Sequence, residues 1–348
     1  MAVGSSTPST LRDRRNRPLG VLRLSLTARC NLACPYCLPD GLEPPGLLNT
    51  AERLVLVAAL QPLGLQTLRL TGGEPLLHPH VEELIHEARA LGVEEIALTS
   101  NGTLLSAERA QHLRNAGLSR LTLSLDGTTG ASVARMAGLT NADAGTNALN
   151  RVLAAIEHGK RAGFSASRGE LKLNAVIQRG ANDDQLVPLA ALARQHGVEL
   201  RLIEFMDVGS RNGWQLDAVV PAAEMVERIG YHWPLEPVGR DPHGTATRWH
   251  YRDGSGALSV VASVSAPFCG DCNRLRITAD GMAYTCLFAT PESGVDLRPW
   301  LRPSLQPEAL TAALRRLWMD RSDRYSEERA ERRAQGGVPP AEMAYLGG

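Results

Sequence analysis

The chain has 348 residues with 37 basic and 37 acidic side chains, so no net charge draws it to nucleic acid or to a membrane surface. Its length allows one large α/β domain or two smaller ones. No stretch of about 18 apolar residues occurs, and the Ser- and Arg-rich start lacks the apolar segment of a signal peptide. We therefore expect a cytoplasmic protein, in a reducing setting where cysteines hold metal more readily than they form disulfides.

Six short strand-like segments alternate with helical stretches from residue 21 to about residue 208. The predicted strands are Val21–Thr27, Thr67–Thr71, Glu95–Thr99, Arg120–Asp126, Leu171–Val176 and Glu199–Met206. The predicted helices between them are Ala51–Leu63, His80–Leu91, Ala107–Ala116, Asn147–Ala162 and Asp184–His196. This alternation predicts a parallel sheet built from βα units.

The predicted strands have one apolar face and one polar face. In the first, Leu22 and Leu24 alternate with Arg23 and Ser25, and most of the later strands repeat this split. A doubly wound sheet carries helices on both faces, so its strands would be apolar on both. We therefore predict an incomplete (βα)6 TIM-like barrel whose polar face lines a ligand cavity. An antiparallel sheet with one solvated face is the alternative.

Past the sixth strand the alternation stops, and the pattern predicts a C-terminal α+β extension. One hairpin is expected between Trp249 and Val264, and a second at the turn Asp280-Gly281. The helices predicted in this half are Asp217–Ile229, Pro307–Met319 and Ser326–Gln335.

These patterns divide the chain into four parts. They are a flexible N-terminal segment at residues 1–17, a partial barrel at 18–215, a C-terminal region at 216–336 and a tail at 337–348. The basic cluster Arg12–Arg17 is predicted to be a solvated tail. The last two residues, Gly347 and Gly348, would fray in a chain end without a partner.

All six cysteines fall into two triplets. They are Cys30, Cys34 and Cys37 after the first strand, and Cys269, Cys272 and Cys286 near the end. Three thiolates are one ligand short of a closed tetrahedral site, and reactive metal centres keep such an open position. The spacing in the front loop fits an iron–sulfur cube with one free iron, whereas zinc would need a fourth Cys or His that the loop lacks. The second hairpin would return Cys286 to Cys269 and Cys272, so two open metal sites are predicted.

The front loop, C-x3-C-x2-C with an aromatic residue before the last cysteine, resembles the cluster loop of the radical SAM superfamily. The segment Thr71-Gly72-Gly73-Glu74-Pro75 resembles the glycine motif of that family. The resemblance implies a [4Fe-4S] cluster whose free iron binds the amino and carboxylate groups of S-adenosyl-L-methionine. The cofactor contacts that it implies are Tyr36, Gly73, Ser124 and Met206.

The back triplet narrows the resemblance. Phe268–Arg276 with Cys286, and matches over roughly residues 18 to 348, are similar to the GTP 3′,8-cyclase family of molybdenum cofactor biosynthesis. This implies a second [4Fe-4S] cluster that binds guanine, and a 5′-deoxyadenosyl radical from the first site that removes hydrogen from ribose C3′. Attack on guanine C8 then gives 3′,8-cyclo-7,8-dihydro-GTP. The family also implies a catalytic role for Gly347 and Gly348. Departures occur at Ala28, at Leu38 and in a longer loop, Gly163–Glu170.

GTP carries about four negative charges, which a chain without net charge must meet with local cations. Strand alternation places four polar candidates on the predicted cavity face, namely Arg23, Arg69, Thr99 and Lys172. Lys172 is one of only two lysines. The resemblance assigns GTP binding to these four and adds Arg274, Leu275 and Arg276. For each arginine the alternative is a surface charge or an ion pair with Asp126 or Glu204.

The family also implies a flavodoxin- or ferredoxin-type electron donor and transfer of the product to cyclic pyranopterin monophosphate synthase. A homodimer is compatible with it, and neither nucleic acid nor a membrane is an expected partner. Two other functions stay open. One is a radical SAM maturase with an auxiliary cluster acting on another substrate, although such extensions generally hold more cysteines. The other is a zinc or iron–sulfur scaffold that binds nucleotides or RNA.

Overall fold

The computed structural model describes residues 11–39, 41–336 and 338–347. The strands within these ranges are β1 (Val21–Ser25), β2 (Thr67–Thr71), β3 (Glu95–Ser100), β4 (Arg120–Ser124), β5 (Leu171–Ile177), β6 (Glu199–Glu204), β7 (Leu235–Arg240), β8 (Thr247–Tyr251), β9 (Ala257–Val261), β10 (Arg274–Ile277), β11 (Met282–Tyr284) and β12 (Val295–Asp296). The helices are α1 (Thr50–Leu60), α2 (Val81–Ala90), α3 (Ala107–Asn115), α4 (Gly130–Ala137), α5 (Ala142–Arg161), α6 (Leu186–Gln195), α7 (Ala222–His232), α8 (Pro307–Met319), α9 (Tyr325–Ala334) and α10 (Met343–Leu346).

The strands β1 to β6 lie side by side in chain order, and every neighbouring pair among them is parallel. Helices connect them, as βα units require. The predicted parallel sheet is therefore confirmed, and the antiparallel alternative is wrong for these six strands.

The C-terminal half extends this sheet at both edges. β10 pairs in parallel with β1, with Leu22 opposite Leu275, and β9 pairs in parallel with β6, with Leu200 opposite Leu258. Both predicted hairpins are present, as β8–β9 and β10–β11. The strand β7 was not predicted, and it forms the outer edge beside β8. Residues from the second half of the chain therefore reach both sides of the parallel sheet.

The apolar face of the sheet forms the main core. Leucines such as Leu22, Leu68, Leu98 and Leu121 are fully buried beneath the helices. Burial of each such side chain contributes about 1.5–3 kcal/mol. The same alternation turns the polar residues to the opposite face, where the functional site lies. Among the described helices, none has the length and apolar character needed to cross a membrane.

The helices α4 and α5 pack closely at Gly145, which gives a test of the fold. A Cβ atom on Gly145 would lie 1.9 Å from the Gly130 carbonyl oxygen and 2.7 Å from the Ala134 nitrogen. Both are backbone atoms, so Gly145→Ala is expected to lower the free energy of unfolding by about 1–3 kcal/mol. Urea denaturation measures this, with the exposed Asn147→Ala on the same helix as the control. Equal loss in both variants would contradict the described helix contact.

The N-terminal segment differs from its prediction. Residues 1–10 lie outside the described ranges, but Leu11, Asp13 and Arg17 are buried, while Arg12 and Arg14 are exposed. The Asp13 carboxylate accepts hydrogen bonds from the backbone N–H groups of residues 15 and 17 and pairs with the Arg17 guanidinium. The solvated-tail prediction therefore does not hold for Arg17, because an acidic residue four positions earlier folds the segment around it.

Candidate functional site

A cavity of about 330 Å³ opens where the parallel strands end. Its wall includes all six cysteines, Cys30, Cys34, Cys37, Cys269, Cys272 and Cys286, each with a free thiol. The two triplets are far apart in the chain, yet both face the same cavity. The carboxyl ends of parallel strands are the usual place for the active site of a barrel.

The front loop is held against the end of β2 by backbone hydrogen bonds. The Gly73 N–H donates to the Thr27 carbonyl at 2.7 Å, and the Glu74 N–H donates to the Arg29 carbonyl at 2.9 Å. The Glu74 side chain is itself buried and accepts hydrogen bonds from the Ser100 hydroxyl and the Asn101 N–H at the end of β3. Three strand ends thus fix the loop that carries the front cysteines.

Gly73 has no room for a side chain. A Cβ atom there would lie 2.2 Å from the Arg29 carbonyl oxygen and 2.9 Å from the Ala28 carbonyl oxygen. A Gly73→Ala variant must therefore displace the cysteine loop, at a cost of about 1–3 kcal/mol. We expect it to bind S-adenosyl-L-methionine roughly 5- to 150-fold more weakly in equilibrium binding.

The control for this prediction is Gly230→Ala in α7, where the nearest atom would be 3.9 Å from the new Cβ. It should bind like the parent. Parent-like binding by Gly73→Ala as well would show that the close backbone contact does not constrain the cofactor site.

Burial dominates the electrostatics of the front thiols. It raises the pKa of Cys34 well above its usual value, an effect that Asp126 strengthens, and it raises the pKa of Cys37 to about 12. Such thiols ionise only beside a strong positive charge, which the irons of a cluster supply. Three soft sulfur donors on one short loop are also the ligand set that iron–sulfur clusters use. The front residues therefore fit a [4Fe-4S] cluster.

The back triplet has a different environment. Burial alone would raise the pKa of Cys272, but Arg274 and Arg321 lower it to about 6. Burial raises the pKa of Cys286 to about 12, and Asp323 adds to this. The predicted turn after β10 brings Cys286 back to the cavity wall, so the chain offers a second set of three thiols.

In the described residues, neither cysteine triplet is arranged around a single metal ion. Within the described ranges, no group of three or more His, Cys, Asp or Glu side chains is close enough to hold a single metal ion. A four-iron cube places its three thiolates on three different irons, so its ligands stand further apart than those of one ion. The cysteine arrangement is thus compatible with clusters.

All four predicted cofactor contacts lie on the cavity wall: Tyr36, Gly73, Ser124 and Met206. The Tyr36 hydroxyl donates to Asp126 at 2.7 Å, and the other Asp126 oxygen accepts from the Val176 N–H at 2.8 Å. Asp126 therefore anchors Tyr36 to the next strand. Sequence analysis considered Asp126 only as an ion-pair partner. Its position just after β4, at the strand end that faces the cavity, could have identified it as a site residue.

Five predicted substrate contacts also line the cavity: Arg23, Arg69, Thr99, Arg274 and Arg276. Burial lowers the pKa of Arg23 well below its usual value, and repulsion from Arg276 and Arg69 lowers it further. Burial and nearby Arg120 have the same effect on Arg69. Partly desolvated cations that repel each other form a strong site for a multivalent anion.

The other two predicted contacts lie elsewhere. The Leu275 side chain is buried in the main core, on the opposite face of β10 from Arg274 and Arg276. Lys172 is not on the cavity wall. Its ammonium group donates to both carboxylate oxygens of Glu199 at 3.1 Å. Burial and repulsion from Arg201 lower its pKa to about 8.

Sequence analysis missed Arg201 and Asn174, which line the cavity. Both lie on the polar face of their strands, opposite buried neighbours such as Leu200 and Leu173. The period of two therefore contained the signal that would have found them.

The C-terminal tail enters the cavity. The Gly347 carbonyl oxygen accepts hydrogen bonds from Arg23 at 3.3 Å, Thr71 at 3.2 Å and Arg276 at 3.3 Å. Gly348, the other predicted catalytic residue, lies outside the described residues. The tail thus contacts two of the arginines that are candidates for binding substrate.

Comparison with known proteins gives the same picture over the whole chain. A model of the radical SAM superfamily matches residues 24–193, and a model described as Molybdenum Cofactor Synthesis C matches residues 198–327. A GTP 3′,8-cyclase from Synechococcus sp. (strain CC9902) is 58% identical over 97% of this chain and 98% of the relative. One from Xanthomonas campestris pv. campestris (strain B100) is 44% identical over 97% of each.

A solved structure with a similar fold is Streptococcus suis SuiB bound to the precursor peptide SuiA. It has a TM-score of 0.61 and 13% identity, over 87% of this chain and 65% of SuiB. At this identity the likeness concerns the fold alone. The relatives from Synechococcus and Xanthomonas are 58% and 44% identical over 97% of this chain, so the chain belongs to the GTP 3′,8-cyclase family of the radical SAM superfamily.

Proposed function

We propose that this chain converts GTP to 3′,8-cyclo-7,8-dihydro-GTP, the first step of molybdenum cofactor biosynthesis. The observation that carries the proposal is one cavity whose wall holds both cysteine triplets together with a group of arginines. A radical at a primary carbon attacks any nearby C–H bond, so the reaction needs an enclosed site that holds its target in contact.

The front triplet, with Tyr36, Gly73, Ser124 and Met206, would hold the first [4Fe-4S] cluster and S-adenosyl-L-methionine. When bound there, this cofactor supplies the 5′-deoxyadenosyl radical that takes hydrogen from ribose C3′. The protein contributes a rigid loop, because Gly73 and Glu74 tie it to β2 and Asp126 fixes Tyr36.

The back triplet would hold the second [4Fe-4S] cluster, which binds guanine through its open iron. The triphosphate would contact the guanidiniums of Arg23, Arg69, Arg274 and Arg276 on the cavity wall, and Thr99 would add a hydroxyl. Leu275 could contribute only backbone groups, because its side chain is in the core. Gly347 and Gly348 would help to position Arg23 and Arg276 before the radical forms.

The predicted division of the chain suits this function. Residues 18–215 would form the radical-generating part, 216–336 the second-cluster part and 337–348 the tail that enters the cavity. A flavodoxin- or ferredoxin-type protein would supply electrons, and cyclic pyranopterin monophosphate synthase would take the product. The same division is compatible with a homodimer in the cytoplasm.

Lys172 gives a pH-dependent prediction. Its pKa is lowered to about 8, chiefly by burial, so it is cationic below pH 8 and neutral above. Because Lys172 is paired with Glu199 away from the cavity wall, its titration should affect stability and not GTP affinity. The unfolded chain keeps this proton up to the ordinary pKa of a lysine, so the parent's free energy of unfolding should rise between pH 8 and about pH 10 relative to that of Lys172→Met. Urea denaturation at both pH values measures this change. An equal change in both proteins would assign the titration to another group.

The direct test is anaerobic reconstitution with iron and sulfide, followed by S-adenosyl-L-methionine, a reductant and GTP. We expect 5′-deoxyadenosine and a cyclic GTP-derived product in equal amounts. 5′-Deoxyadenosine without that product would favour the maturase alternative, in which another molecule is the substrate. Uptake of zinc in place of iron would favour the scaffold alternative.

A further inference from the structure

Two buried guanidiniums contact the back triplet, and the function proposed above does not use them. The side chains of Arg17 and Arg321 are each 1% exposed. They come from opposite ends of the chain: Arg17 lies in the N-terminal segment, and Arg321 lies two residues after the end of α8. Arginine is seldom fully buried unless its charge and its donors are engaged.

Arg321 contacts a predicted cluster ligand directly. Its Nη2 donates to the Cys272 Sγ at 3.1 Å, and its Nη1 donates to the Cys272 carbonyl at 2.7 Å. Two further bonds, at 3.0 and 3.1 Å, reach the two carboxylate oxygens of Asp323. The bonds to the Asp323 carboxylate fix the orientation of the planar Arg321 guanidinium, and in this orientation it also donates to Cys272.

Arg17 contacts the same turn through the backbone. Its Nη1 donates to the Cys269 carbonyl at 2.8 Å and to the Asp323 carbonyl at 2.9 Å. Its Nε donates to the Asp13 carboxylate at 2.5 Å, and the Arg17 carbonyl accepts a hydrogen bond from the Trp318 indole N–H at 3.2 Å. Both ends of the Cys269–Cys272 turn are thus held by buried cations.

The contacts described for the front triplet are different. Arg211 lies near Cys37, but the hydrogen bond described for its Nη2 goes to the Leu38 carbonyl at 2.9 Å and not to a thiol. The Cys30 Sγ accepts from the Leu32 N–H at 3.4 Å and from the Asn101 amide at 3.8 Å, which are neutral donors. A cationic donor on a ligand sulfur stabilises the reduced, more negative state of a cluster, and so raises its reduction potential. The donor described for the Cys272 sulfur is therefore cationic, whereas those described for the Cys30 sulfur are neutral.

We propose that Arg321 and Arg17 are positioning residues for the second cluster: Arg321 raises its reduction potential through the Cys272 sulfur, and Arg17 holds the Cys269–Cys272 turn that presents two of its ligands. This inference rests on the proposed function, because it requires a cluster at the back triplet. It also explains why the N-terminal segment folds back instead of lying in solvent.

The test uses reconstituted full-length Arg321→Gln and Arg321→Lys without GTP or S-adenosyl-L-methionine. The reduction potentials of both clusters are followed by electron paramagnetic resonance during a redox titration. We expect the second cluster to shift to a more negative potential, with the larger shift in Arg321→Gln, because Arg321→Lys keeps the charge. The first cluster should keep the parent's potential, which also reports that the variant is folded.

A second variant tests the turn. Arg17→Gln is expected to lose iron selectively from the back site, measured as iron per chain together with the second cluster's resonance signal. The matched control is Arg316→Gln, an exposed arginine on α8, which should change neither potential nor iron content.

The parent's potential in every Arg321 variant that loads both clusters would overturn the role of Arg321. Full iron content in Arg17→Gln would overturn that of Arg17. If Arg321→Gln does not fold, Arg321→Lys decides the first point. Failure of the proposed function is distinguishable, since the parent itself would then carry no second cluster or make no cyclic product.

Discussion

A Cys34→Ala variant is expected to lose formation of 5′-deoxyadenosine by at least about a thousandfold, because no other route to the radical is available in this site. Cys34 is one of three thiols on a loop fixed to the end of β2, and two thiols cannot hold a four-iron cluster. Chromatography of the nucleoside products measures the effect, and iron content reports the loss of the cluster.

The control for Cys34→Ala is Ala33→Ser, an exposed position in the same loop, which should keep the parent's iron content and activity. The fold should survive Cys34→Ala, since the front thiols line a cavity and not the main core. Parent-like 5′-deoxyadenosine formation in Cys34→Ala would contradict the assignment of the front triplet to the radical-generating cluster.

Arg23→Ala is expected to weaken GTP binding by about 10- to 100-fold. A charge-assisted hydrogen bond to phosphate contributes on the order of 1.5–3 kcal/mol, which corresponds to this loss of affinity. Arg23 is half-buried on the cavity wall among Arg69, Arg274 and Arg276, whose repulsion favours a bound anion. Calorimetric titration of the reconstituted protein with GTP measures the change.

Binding of guanosine provides the internal comparison for Arg23→Ala. Guanosine lacks phosphates, so its affinity should be nearly the same in variant and parent. The exposed Arg151→Ala on α5 is the matched control for the loss of one positive charge, and it should bind GTP like the parent. An Arg23→Ala variant that bound GTP as tightly as the parent would place the triphosphate elsewhere.

Period-two alternation was sufficient to predict the centre of the fold. All six strands of the parallel sheet begin at the predicted residue, and five of their ends differ by only one or two positions. Each strand pairs buried leucines with polar residues, which is a strong local pattern. The turn residues of both C-terminal hairpins could also be recognised in the sequence. The pairing of β10 with β1 and of β9 with β6, at opposite edges of the parallel strands, could not. That choice depends on contacts distant in the chain.

The cavity was predictable to the extent that its residues follow a strand pattern. The face of β5 that carries Lys172 was predicted, yet the pattern does not give depth along the strand, and Glu199 on the neighbouring strand holds the ammonium group. The burial of Arg17 was not predictable, because its partners Cys269 and Asp323 lie near the other end of the chain. Ionic contacts between residues far apart in the chain produce no periodic pattern in the sequence.

The proposed removal of hydrogen from ribose C3′ can be tested by following that one hydrogen atom. GTP that carries deuterium at C3′ is incubated with the reconstituted protein, S-adenosyl-L-methionine and a reductant, and the products are analysed by mass spectrometry. We expect 5′-deoxyadenosine with one deuterium for each molecule of 3′,8-cyclo-7,8-dihydro-GTP formed. Unlabelled 5′-deoxyadenosine, or labelled GTP recovered unchanged while 5′-deoxyadenosine accumulates, would contradict it.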